Sequence, residues 1–166
     1  MADPHSKNLR LHRLRDVSST FFVTKSLRPK KPVLYPELRQ VIVDAFAFAV
    51  EHKRAFLRAF IVMPDHWHAL IGLREAWTLP KFMHAFMSHV GSKTSPHLTK
   101  HETAWQDGYY ETLIKTARQF TYVGIYIEEN PVKKGLVTTP ELWKESSAYR
   151  KDLITEPWPW VFDRKS

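Results

Sequence analysis

The chain has no cysteine, which excludes disulfides, thiolate-bound zinc and cysteine nucleophiles together. Any metal it holds must therefore sit on His, Asn, Gln, Asp or Glu, and a reducing compartment suits it. Nowhere does it approach the roughly 18 consecutive apolar residues that a membrane span needs. The opening MADPHSKNLR also lacks the apolar core of a signal peptide. The expected setting is the cytoplasm, with no membrane partner. Acid is scarce at the front of the chain: residues 1–31 carry Lys7, Arg10, Arg13, Arg15, Lys25, Arg28, Lys30 and Lys31 against Asp3 and Asp16 alone, which is +6 of a net +8. A basic segment of this kind points to a polyanion, with phosphate backbone contacts ahead of a merely solvated tail.

With 166 residues, 43% of them hydrophobic, the chain can bury one core, so a single domain over 1–166 is expected, with a basic N-terminal segment at 1–18 and a tail at 150–166. Thr20 to Thr24 is β-branched and aromatic and ends at a Pro- and Lys-rich turn, which predicts a strand. From Pro36 the apolar residues Leu38, Val41, Ile42, Ala45, Phe46, Ala49 and Val50 recur at helical spacing, predicting a helix to about Lys53. Phe56–Val62 and His66–Leu73 flank the turn Met63-Pro64-Asp65 as a hairpin. Thr78 caps a second helix whose Phe and Met stripe is core packing and whose end falls at Gly91. Residues 92–108 are polar and irregular, Tyr109–Ile114 is a short strand, and Thr116 with Gln119 forms a capping box for a third helix ending near Asn130, before Pro131. The tail with Trp158 and Trp160 is expected to be irregular and packed on the body. The order β, α, β, β, α, β, α predicts the α+β class, a ferredoxin-like antiparallel sheet with its helices gathered on one face.

Two local patterns carry chemistry. In a strand, residues two apart share a face, so His66 and His68 stand side by side while Trp67 turns away, and two imidazoles so placed could share a metal. The pair alone admits plain surface histidines equally well. In the third helix Tyr126 and Asn130 stand four apart on one face, with Tyr122 a turn earlier on the same face. Spacing by itself leaves both tyrosines open, and a core tyrosine beside a helix-terminal Asn is the blander alternative. Should that helix cross the face bearing the imidazoles, a phenol, an amide and two imidazoles would meet. A neutral His, His, Asn set with open positions suits Mg²⁺ or Mn²⁺.

Four blocks in this order resemble a known family: Phe21-Phe22-Val23-Thr24, then Val62-Met63-Pro64-Asp65-His66-Trp67-His68, then Trp105-Gln106-Asp107-Gly108-Tyr109-Tyr110, then Tyr126 through Asn130-Pro131-Val132 to Val137. Ser146 to Tyr149 is a weaker echo. Together they are similar to the single-tyrosine HUH transposases, the IS200-like group, and within it to the REP-associated tyrosine transposases of bacteria. The resemblance implies that His66 and His68 are metal ligands, Asn130 the third ligand, and Tyr126 the nucleophile in preference to Tyr122. It implies a divalent-metal-dependent enzyme that nicks and rejoins single-stranded DNA at hairpins through a 5′-phosphotyrosine, working as monomer or homodimer at the bacterial nucleoid. Arg10, Arg13, Arg15, Lys25, Arg28, Lys30 and Lys31, with Lys133 and Lys134, are the expected backbone contacts. Three rivals remain: a catalytically silent hairpin-DNA-binding protein derived from a transposase, an unrelated metal-dependent phosphohydrolase, and an RNA-binding module. The last would place stacking aromatics on the exposed sheet face, where the assignable outward positions carry His instead.

Overall fold

The computed structural model of the chain describes residues 19–30, 33–94, 105–160 and 162. Its elements are β1 (Thr20–Ser26), α1 (Pro36–Glu51), β2 (Ala55–Val62), β3 (His66–Leu73), α2 (Leu79–Thr94), β4 (Tyr110–Ile114) and α3 (Ala117–Lys133). All strand neighbours are antiparallel, in the order β2-β3-β1-β4. This is the ferredoxin-like α+β arrangement that the element order predicts.

Alternation along the strands sorts the apolar side chains into two cores. Phe21, Val23, Phe60, Val62, Trp67, Ala69 and Ile71 pack with α1 and α2. Ala59, Ile61, Leu70 and Ile114, with Phe22, pack with Val123 and Ile127 of α3. The predicted gathering on one face therefore holds for α1 and α2, while α3, the helix beyond the βαββαβ unit, lies across the opposite face. A register shift between Leu57 and Ala59 keeps β2 consistent with this division. The extra residue, Arg58, lets Phe60 and Val62 face the same core as Leu57.

Two helix ends differ from the sequence expectation. α2 runs through Gly91 to Thr94, because Val90 and Thr94 are buried one turn apart and extend the packed stripe. α3 runs through Pro131 to Lys133. Asn130 and Pro131 are both buried, so packing outweighs the local bias, and the stop comes at Gly135 with φ 71°. There the Gly135 N–H donates to Val132 O and the Leu136 N–H to Pro131 O, the paired bonds of a Schellman ending.

The tail packs on the body as expected. Trp158 Nε1 donates to Thr20 Oγ1 at 3.3 Å, and Trp160 lies where a Cβ on Gly72 would be, so only glycine fits there. Residues 145–147 and Thr155 bond along β2 and close that edge. Among the described residues no helix is long and apolar enough to cross a membrane.

Candidate active site

In the β1–β3 pairing Thr24 lies opposite His68 and Ser26 opposite His66. Both imidazoles consequently project onto the α3 face, with ring centroids 4.6 Å apart. Trp67 between them is fully buried on the other face, edge-on to Phe46 at 5.4 Å. Each ring is oriented through Nδ1: His68 by Thr24 Oγ1 at 2.7 Å, His66 by Asp65 Oδ1 at 2.7 Å. A neutral imidazole that donates through Nδ1 keeps its lone pair on Nε2, the form in which histidine ligates a metal. Burial, reinforced by the neighbouring His66 and partly opposed by Asp65, pushes His68 down to about 3. That ring is neutral throughout the physiological range.

The second half of the site comes from α3. Thr116 Oγ1 accepts from the Gln119 N–H at 3.0 Å, and Gln119 Oε1 accepts from the Lys115 N–H at 2.9 Å, so the helix start is satisfied from both sides. The helix direction set there brings Tyr126 against the sheet: its ring lies 5.7 Å from His68 and 6.0 Å from Phe22. Tyr122 is 68% exposed, so Tyr126 is the tyrosine brought to the histidines. Lys133 holds its ammonium 5.5 Å from the centre of the Tyr126 ring.

Asn130, one turn beyond Tyr126, is 6% exposed and its Oδ1 has no hydrogen-bond partner. Leaving a buried amide oxygen unpaired costs about 1–3 kcal/mol. A carbonyl oxygen of this kind is a hard ligand, and the chemistry of an amide oxygen with two imidazole nitrogens suits a divalent cation. Among the described residues no three His, Asp or Glu side chains converge as a metal site.

The expected phosphate-binding cations divide. Lys133 and Lys134 are exposed at the end of α3, and Lys30 is exposed after β1. Arg28 is partly exposed but tied to Asp107 and to Trp105 O. Lys25 is a correction: it is 8% exposed, and its ammonium donates to the carbonyls of Gln106 and Gly108. Its pKa is lowered, mainly by burial. It secures the turn before β4 and offers no free charge at the surface. Arg10, Arg13, Arg15 and Lys31 lie outside the described residues.

Three contributors escape a reading of local spacing. Asp65 adjoins His66 in sequence and could have been suspected from that. Thr24 could not, because only strand pairing brings it to His68. Tyr110 is an exposed aromatic on the imidazole face, opposite Thr24, where outward positions were expected to carry His.

The family described as "Transposase IS200 like" matches residues 21–130, a span that contains Thr24, His66, His68, Tyr126 and Asn130. A REP-associated tyrosine transposase of Escherichia coli (strain K12) is 30% identical over 138 residues, covering 79% of this chain and 77% of that protein. Among solved structures, a REP-associated tyrosine transposase bound to a REP hairpin superposes with a TM-score of 0.68 at 23% identity, covering 90% of this chain and 88% of the other. The chain belongs to the IS200-like transposase family.

Proposed function

We propose that this transposase nicks and rejoins single-stranded DNA beside hairpins, carrying the cut strand on Tyr126 as a 5′-phosphotyrosine, with Mg²⁺ or Mn²⁺ held by His66, His68 and Asn130. The observation that carries the reading is the Tyr126 ring against His68 with a buried, unpaired amide oxygen one turn further along the same helix. The phenol oxygen bonds to phosphorus, the bond from phosphorus to the 3′ oxygen breaks, and the 3′-hydroxyl leaves with a proton. Because the ester energy is retained in the tyrosine linkage, a 3′-hydroxyl can reverse the step and join a new end. Water would forfeit that.

A phenol with an ordinary pKa near 10 is only about 0.1% ionised at neutral pH, so its negative charge must be favoured as it develops. The Lys133 ammonium over the ring acts in that direction. A bound divalent ion would add charge neutralisation at the scissile phosphate. Thr24 orients His68, which burial keeps neutral, and Phe22, edge-on to Tyr126, limits the swing of the phenol. The similar protein seen with a REP hairpin supports hairpin DNA as the partner. Lys30, Lys133 and Lys134, with Arg10, Arg13, Arg15 and Lys31, would meet its backbone phosphates, and such a partner would keep the protein on a bacterial nucleoid.

The test is a hairpin oligonucleotide with a single-stranded arm, incubated with Mn²⁺. Wild type should give a nick and a protein–DNA adduct that survives denaturation, and Tyr126→Phe should give neither while still binding the hairpin. Nicking retained by Tyr126→Phe would mean that water is the nucleophile, and the proposal would fail.

A further inference from the structure

The histidine end of the α3 face is only partly roofed. α3 lies mainly on β2 and β3, reaching Phe22 and Ile114 beyond them, so among the described residues it is the β4 edge of this face, at Tyr110 and Thr112, that is left exposed. A single row runs to that edge: His68 on β3, Thr24 on β1, Tyr110 on β4. With neighbouring strands about 4.8 Å apart, the Tyr110 Cα stands about 10 Å from that of His68, on the same face. Tyr110 is 73% exposed, and among the described residues its side chain makes no hydrogen bond or ring contact. Its neighbour Tyr109 turns the opposite way and packs against the α1–α2 core. Single exposed aromatics such as Tyr122 and Tyr149 are ordinary on this surface; what distinguishes Tyr110 is its place in the row that leads through Thr24 to His68.

Its backbone, in contrast, is anchored. Lys25 holds the carbonyls of Gln106 and Gly108 just before Tyr110, and Arg28 holds Trp105 O. The ring thus stands on a fixed strand, in the row that reaches His68, while Lys133 holds its ammonium 5.5 Å from the Tyr126 ring centre and Lys30 is exposed beyond the end of β1. Aromatic surface beside positive charge suits a nucleobase whose phosphates are held alongside.

We propose that Tyr110 is the stacking platform for a base of the single strand that enters the site, next to the phosphate presented to Tyr126. This rests on the DNA-nicking reading above and adds where the unpaired arm lies. It also assigns Lys25 a positioning role, since its hydrogen bonds fix the turn that aims the platform.

The probe is a DNA hairpin with a single-stranded arm in which 2-aminopurine replaces each arm base in turn, mixed with the full chain without added metal. One arm position should lose emission with wild type and with Tyr110→Phe, and keep it with Tyr110→Ala. Affinity for the armed hairpin should fall about 5- to 100-fold in Tyr110→Ala, the weight of one base–aromatic stack, while the armless hairpin binds unchanged. Equal quenching and affinity in Tyr110→Ala and wild type would overturn the assignment. Neither readout requires a cut, so quenching without any Mn²⁺-dependent nick would sink the nicking reading and leave the platform standing.

Discussion

The two faces of the sheet are finished to different standards. Against α1 and α2, Phe46 sits among Phe60, Trp67 and Phe86 with ring centroids 4.7–5.4 Å apart, a cluster of large apolar rings in which Trp67 Nε1 is the polar atom left without a partner. Against α3 the cluster is smaller, and it borders a buried imidazole and a buried amide oxygen with no partner. Even within the α3 face the two ends differ. Around Gly72 it is closed by Trp158 and Trp160, whereas at His66 and His68 it opens toward Tyr110. A face that needs room for a ligand cannot also be packed to the density that maximises stability. The division of labour follows: one face supplies the fold and the other holds polar groups in waiting.

Substitutions on the two faces should dissociate stability from activity. The largest effect is expected from the His66→Ala, His68→Ala double variant: nicking of hairpin DNA falls below detection, while denaturant unfolding shifts by about 1–3 kcal/mol, the worth of the two imidazole hydrogen bonds. Phe46→Ala should do the reverse, costing about 3–5 kcal/mol of stability and leaving the activity of the folded fraction near wild type. Paired losses of both properties in either variant would show that the faces are not independent.

How much of this was legible before the structure depends on how local each feature is. The imidazole pair and the Tyr126–Asn130 spacing are properties of one strand and one helix, and both elements could be read from period and caps. Choosing Tyr126 over Tyr122 needed a resemblance, because the two share a helical face and only tertiary packing leaves Tyr122 exposed. The side on which α3 lies, the roles of Thr24 and Tyr110 and the burial of Lys25 all depend on the strand order β2-β3-β1-β4 and its register. Pairings across 44 residues, such as Thr24 with His68, leave no periodic trace in a sequence. Lys25 misleads for a further reason: charge predicts a surface, and only the chance to donate to two carbonyls of a distant turn makes its burial tolerable.

Thr24 sharpens the comparison at the next level of magnitude. Thr24→Val keeps shape and β propensity but removes the oxygen that orients His68, so nicking or Mn²⁺ affinity should drop about 10- to 100-fold, as when an outer partner of a ligating histidine is lost. Thr24→Ser should recover most of it. Full activity in Thr24→Val would mean that packing against Phe22 and Tyr126 is enough to aim the ring.

The most gradual effect, and the one most particular to the α3 face, is a pH dependence of stability in metal-free protein. Burial holds His68 down to about 3 in the fold, against an ordinary 6.5 when the chain is unfolded. Between those values the unfolded chain takes up a proton that the folded one refuses, so stability falls as pH drops from 6.5 towards 3, by up to about 1.4 kcal/mol per unit. Above 6.5 both states carry a neutral ring and the contribution is flat. Carboxylates titrate in the lower part of the same window, which is why the measurement is the difference between wild type and His68→Gln, in which their contributions cancel. That difference should slope in wild type's disfavour as the solution is acidified. A difference that stays constant would mean that water reaches the ring freely, and the contrast between a sealed face and one that confines a neutral imidazole would lose its electrostatic half.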